Sequence, residues 1–320
     1  MSLQTPVLFC IFNRPDVTRQ VFAAIRQQRP KTLLVVQDGP RANHEPDSER
    51  IAVARQVLDL IDWPCDLRTN FAESNLGCRQ RMATGITWGF AQCERMIILE
   101  DDCLPGNSFF GFCEALLERY ANDDRVMMIS GNNFQPIERS PYSYYFSKWS
   151  HIWGWASWRT AWQRFDVNIA TWPSDKLDTW LSELCCDASE LEHWNETFDR
   201  QFAGAIDTWD FPWMYSLWRQ GGLAVLPNCN LVTNLGFGPM ATHTTDVHSP
   251  WANLPFCEIE TLRHPAIVIR HNEADAYTWN RVFKQVATPI QGARAAKLNG
   301  WWRGLRRAAM GVAGGDSCQR

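Results

Sequence analysis

The residues with the clearest chemical potential are Glu100, Asp101 and Asp102, which directly follow the apolar run Met96–Leu99. Three adjacent carboxylates repel one another and lose hydration at the end of a buried strand. Such a cluster persists when a cation neutralises it. The hard cations Mg2+ and Mn2+ take oxygen ligands and share them between carboxylate and substrate phosphate. A diphosphate bridging to such a cation suits this chemistry. The competing reading is a solvated acidic turn that caps a helix starting near Asn107.

Other groups could act with this cluster. Asp38 follows Val35-Val36-Gln37 and could accept a hydrogen bond from a base or ribose, although Asp-Gly-Pro is also a strong turn signal. Asn13-Arg14-Pro15 ends an earlier apolar run in the same way. Asp210, with Asp207 just before it, precedes Phe211-Pro212, which also suits an N-cap for a helix through Trp213, Tyr215 and Leu217. Trp153 and Trp155 offer flat aromatic faces to a sugar acceptor, and Gly154 permits a tight path between them. Trp155, Trp158 and Trp162 also share helical spacing and suit a plain core. The glycines of Asn234–Gly238 fit a loop closing over a diphosphate. His243, further along, could donate to a phosphate or complete a metal shell. No histidine spacing suggests zinc.

These side chains need elements to position them. Strands are expected at Val7–Phe12, Thr32–Val36, Cys65–Thr69, Met96–Leu99, Val126–Ser130 and Ala224–Pro227. Helices are expected from Asp16 or Thr18 to Gln28, and over 48–61, 79–90, 104–125, 176–203 and 210–220. Residues 134–173 read as a Trp/Tyr-rich irregular stretch. The alternation of strand and helix predicts an α/β fold with a mostly parallel sheet and helices on both faces. Ligands of such sheets bind beyond the carboxyl ends of the strands. The stops at Asn13-Arg14, Gln37-Asp38-Gly39 and Glu100-Asp101-Asp102 all fall at that edge.

The chain has 320 residues, 45% hydrophobic, enough for a large core. A net charge of −4 argues against a general nucleic-acid binder. The 11 cysteines are irregularly spaced and read as reduced core thiols. Most of the 17 tryptophans are expected as core filler. The N-terminal apolar run is too short for a signal peptide, and no stretch is long enough to cross a bilayer. A cytoplasmic protein is the expectation. The basic, aromatic segment Trp301–Arg307 could touch the inner face of the membrane, with a frayed terminus as the competing reading. Residues 1–285 are expected as one catalytic unit, with a nucleotide half (1–103) and an acceptor half (104–285), followed by a tail at 286–320.

In order and spacing, Asn13-Arg14-Pro15, Gln37-Asp38-Gly39 and Glu100-Asp101-Asp102 resemble the GT-A class of glycosyltransferases. The nearest likeness is to the N-acetylglucosaminyltransferase I type. The segment His151–Arg159 (His-Ile-Trp-Gly-Trp-Ala-Ser-Trp-Arg) resembles bacterial nucleotide-diphospho-sugar transferases. The resemblance spans residues 5–285. It implies a Rossmann-like GT-A fold, a UDP-sugar donor, a hydroxyl acceptor on a glycan, lipid or protein, and inverting transfer with Mn2+ or Mg2+. By the same resemblance Asp38 would contact the base, and Arg81 the base or diphosphate. Asp101 would meet the ribose, Asp102 the metal and Glu100 the donor sugar. Asn13 and Arg14 would lie beside the donor, and Asp210 would be the general base, with Asp207 as the near alternative. Phe211 and Pro212 depart from the Trp-Asp-Asp-Trp of the family at that point. The rival readings are a sugar nucleotidyltransferase, opposed by the lack of glycine after the first strand, and a non-catalytic carbohydrate-binding protein.

Overall fold

The computed structural model of the protein describes residues 2–238 and 249–284. Apolar runs in the first hundred residues form β1 (Val7–Ile11), β2 (Thr32–Gln37), β3 (Asp66–Phe71) and β4 (Arg95–Glu100). They lie in the order β3-β2-β1-β4 and are all parallel. Three helices make the crossovers: α1 (Pro15–Gln28), α2 (Pro46–Arg55) and α3 (Cys78–Gln92). α1 starts on Pro15, whose missing N–H and fixed φ suit a first turn.

Successive strand residues face opposite sides, so the sheet carries two cores. On one side Phe9, Val35 and Leu99 pack with Phe22 of α1 and with Phe109 and Leu116 of α4 (Asn107–Arg119). On the other, Leu8, Leu34 and Ile98 pack with Ile86 and Phe90 of α3, and Trp155, Trp209 and Trp213 fill the space beyond.

The second half extends the same sheet. Its strands are β5 (Cys103–Pro105), β6 (Val126–Ser130), β7 (Tyr144–Ser147), β8 (Trp155–Trp158), β9 (Leu223–Pro227) and β10 (Val232–Asn234). The described sheet runs β3-β2-β1-β4-β8-β6-β9-β7, with β8 antiparallel between β4 and β6. β5 and β10 form a separate antiparallel pair. The chain thus adopts the expected α/β, Rossmann-like architecture, a mostly parallel central sheet flanked by helices.

Several local expectations are corrected. Residues 104–125 are not one helix: Cys103–Pro105 pairs with β10, and the helix begins only after Pro105-Gly106. The stretch 134–173 contains β7 and β8, both wholly buried. Trp155 and Trp158 belong to β8 rather than to a helix shared with Trp162. The helix expected over 176–203 is two, Trp180–Leu184 and Ala188–Phe202, and the second is capped by the Asp187 carboxylate on the Glu190 N–H. The reduced-thiol expectation fails for one pair, because Cys229 and Cys257 form a disulfide. The stretch around Cys257 folds back on the turn before β10, where the Cys257 N–H donates to the Asn230 carbonyl at 2.8 Å. The other described cysteines are free thiols. Among the described residues no helix is long and apolar enough to cross a membrane. The tail at 286–320 lies outside the described residues.

Candidate active site

The register Cys10↔Glu100 and Ile11↔Gln37 sets the residues after β1, β2 and β4 side by side at the carboxyl edge of the sheet. Arg14 stands just before α1, where its side chain makes no capping bond. Its guanidinium instead turns across the edge. Nη1 donates to Asp102 Oδ2 at 2.8 Å, and Nη2 donates to Asp101 Oδ1. Asp101 is only 2% exposed, and its Oδ2 also accepts from the Phe12 N–H at 3.0 Å and from Thr18 Oγ1 at 3.4 Å. The Asp102 carbonyl accepts from the Leu235 N–H at 2.7 Å, which brings the 234–238 loop over the cluster. Gly236 sits so close that a Cβ there would lie 2.0 Å from Asp102 Oδ2. With glycine here the loop approaches the carboxylate more closely than a side chain would allow without a shift.

Charge is unevenly balanced here. Burial pushes the Glu100 carboxyl up to about 8; Asp102, Asp101 and Asp210 add to the shift, and Arg14 opposes it. Burial also raises Asp101, against the pull of Arg14. Arg14 itself loses hydration, but Asp101 and Asp102 outweigh that and hold it charged. One guanidinium therefore faces several carboxylates that burial and mutual repulsion drive towards the protonated form, and a divalent cation would favour their ionised form. Among the described residues no group of three His, Cys, Asp or Glu side chains is gathered to hold a metal. A single carboxylate at Asp102, shared with a diphosphate, still fits Mg2+ or Mn2+, which keep water and phosphate as most of their ligands.

Asp38 is also at the edge, but its oxygens are engaged within the protein. They accept from the N–H groups of Gly39, Leu76 and Gly77 and from Asn75 Nδ2, all between 2.9 and 3.1 Å. Asp38 thus fastens the 74–77 loop to the tip of β2. Arg81, on α3, is buried; its Nη2 donates to the Asn70 carbonyl at 2.6 Å, while its Nε has no partner. Burial lowers its pKa, with Asp38 and Cys10 opposing. The Asn13 amide donates to Asp47 Oδ1 at 2.6 Å and so ties the β1–α1 turn to α2 rather than reaching towards Asp101.

Asp210 is the first residue of the helix Asp210–Arg219, so it is not the N-cap. Its Oδ1 accepts from the Phe211 N–H at 3.0 Å and from Thr208 Oγ1. Its charge reaches Glu100, and Asp207 Oδ2 lies 3.5 Å from where a Gly77 Cβ would stand. Cys78, at the start of α3, is pushed well up by burial and then by Glu100, Asp210 and Asp207. Asp210 therefore lies near enough to influence Glu100, while Asp207 is placed only beside Gly77 and Cys78 at the start of α3. Trp153 is half-buried against Phe134 and Phe237, with ring centroids 5.1 and 5.8 Å away, and borders the loop that carries Gly236. Trp155 is a correction: it is fully buried in β8, stacked on Trp209, and offers no face to an acceptor. His243 lies outside the described residues.

No protein-family model matches this sequence, and no curated protein matches it. Solved structures do. Mouse xyloside xylosyltransferase 1 in its apo form is 10% identical with a TM-score of 0.34, over 67% of this chain and 81% of that one. UDP-glucose pyrophosphorylase complexed with UDP-glucose is 11% identical with a TM-score of 0.27, over 45% of this chain. The match spans 62% of the length of that pyrophosphorylase. The 4-diphosphocytidyl-2C-methyl-D-erythritol synthase of Anaerococcus prevotii is 10% identical with a TM-score of 0.30, over 61% of this chain and 84% of that one.

Three contributors escaped the sequence reading. Thr18 reads only as a helix start, yet its hydroxyl reaches Asp101. Asp47 lies just outside the helix expected from residue 48, yet it is fully buried between Asn13 and Arg41. Cys78 carried no signal at all beyond following Gly77.

Proposed function

We propose that the chain is a GT-A-type glycosyltransferase, moving a sugar from a UDP-sugar to a hydroxyl acceptor with inversion. The observation that carries this reading is the Glu100-Asp101-Asp102 cluster bridged by Arg14, with Asp210 close enough to perturb Glu100. Asp102 would hold Mn2+ or Mg2+, which when bound offsets the charge of the departing diphosphate. Asp101, 2% exposed and locked by Phe12, Thr18 and Arg14, is enclosed rather than open to a ribose, and acts by anchoring Arg14. Asp38 acts by holding the 74–77 loop against the base, and Arg81, whose Nε has no partner, is held on Asn70 through Nη2. Trp153 borders the acceptor. Inverting transfer is one in-line displacement, so a carboxylate must take the acceptor proton; Asp210 is the candidate and Asp207 the alternative. Residues 1–103 would hold the nucleotide and 104–285 the acceptor. The proposed setting is the cytoplasm, with the basic, aromatic segment Trp301–Arg307 as the candidate membrane contact.

Thermal unfolding with UDP and Mn2+ tests this directly. A ligand at a hundred times its Kd stabilises by about 2.7 kcal/mol, so the midpoint should rise, and rise further with Mn2+ than without. No shift with any nucleoside diphosphate would overturn the transferase reading. The Gly236–Asp102 contact supplies a second test. Gly236→Ala puts a methyl group where Asp102 Oδ2 now lies, so the carboxylate or the loop must shift, and UDP affinity by calorimetry should fall about tenfold. Wild-type affinity in that variant would mean that the contact does not shape the site.

A further inference from the structure

Arg14 occupies the gap between Asp101 and Asp102. We propose that it is an exchangeable counter-cation: it holds Asp102 while the site is free of nucleotide, then releases Asp102 and turns Nη1 onto the diphosphate. The proposal rests on the transferase reading of this edge.

The two contacts of Arg14 differ in kind. Asp101 is 2% exposed and pinned by the Phe12 N–H and Thr18, so the Nη2 contact is anchored. Asp102 is 14% exposed and Arg14 20%, so the Nη1 contact borders solvent, where an incoming ligand can compete for it. The oxygen it uses, Oδ2, lies on the side covered by Gly236; the other, Oδ1, has the Cys103 thiol 3.6 Å away. A divalent cation on Asp102 would stand within a few ångströms of the guanidinium, and two positive charges at that separation repel. Arg14 and the cation are therefore antagonists when no nucleotide is present. A diphosphate reverses the relation, because its oxygens accept the planar N–H fork of Arg14 while its charge offsets both cations. Pivoting about Nη2 lets Arg14 make that change without leaving Asp101. The same residue thus weakens binding of the bare ion and strengthens binding of the nucleotide with its ion.

This crossover is the test. In Arg14→Gln, Mn2+ alone, followed by the electron paramagnetic resonance of the free ion, should bind about fivefold tighter or more. UDP in saturating Mn2+, followed by calorimetry, should bind about tenfold weaker. A local packing defect would weaken both. Mn2+ affinity in Arg14→Gln that equals or falls below the wild-type value overturns the proposal. If Arg14→Gln does not fold, Arg14→Lys, which keeps one charge for Asp101, should shift Mn2+ affinity in the same direction by less, and an unchanged value there overturns it equally. If UDP fails to bind even the wild-type chain, the transferase reading falls, while the Mn2+ measurement still decides whether Arg14 competes for Asp102.

Discussion

Asp102→Ala is expected to abolish the metal-dependent part of nucleotide binding. The Asp102 carboxylate reaches the surface, whereas Asp101 is enclosed by Phe12, Thr18 and Arg14. The substitution leaves the Leu235 N–H to Asp102 carbonyl bond in place, since that bond is made by the backbone. The 234–238 loop therefore stays docked, and the loss can be read as loss of the carboxylate. Arg14 keeps its anchored partner Asp101, so the charge it carries is not stranded. Calorimetric titration with UDP, with and without Mn2+, should give two different affinities for the wild-type chain and one low value for the variant. Undiminished UDP affinity in excess Mn2+ would remove Asp102 from the metal role.

The strands that form the edge were legible because each is a short apolar run closed by polar residues. Val7–Ile11, Thr32–Gln37 and Arg95–Glu100 are fenced in this way, and parallel pairing then forces their stops together. β7 and β8 were illegible for the opposite reason. Tyr144–Ser147 and Trp155–Trp158 lie in a Trp/Tyr-rich stretch where no polar residues fence off a short apolar run, although both are wholly buried strands. The same burial removed Trp155 from the site while leaving Trp153, two residues away, at its border. Sequence placed Arg14 and Asp38 at the edge but not their partners. Which way a guanidinium turns, and whether a carboxylate is consumed by the 75–77 loop, depends on side-chain direction rather than on spacing. The Gly236–Asp102 approach and the Cys229–Cys257 bond join segments that no periodicity relates.

Asp210→Asn should leave UDP binding at its wild-type level and lower transfer by roughly a hundredfold or more, the usual scale for a lost general base. The amide keeps the shape of the carboxylate and one oxygen, so the bonds from Thr208 Oγ1 and the Phe211 N–H can persist and the helix Asp210–Arg219 retains its start. What it cannot do is accept a proton at neutral pH. The two readouts separate roles that a truncation would blur: a positioning role would weaken UDP or acceptor binding, while a base role lowers turnover alone. Turnover that survives unchanged would transfer the role to Asp207, which lies beside Gly77 and Cys78 at the start of α3. Asp207→Asn, assayed in parallel with a panel of UDP-sugars, decides between the two. The acid whose amide keeps donor affinity but loses transfer is the one that meets the acceptor hydroxyl, because only that position must change protonation during the displacement.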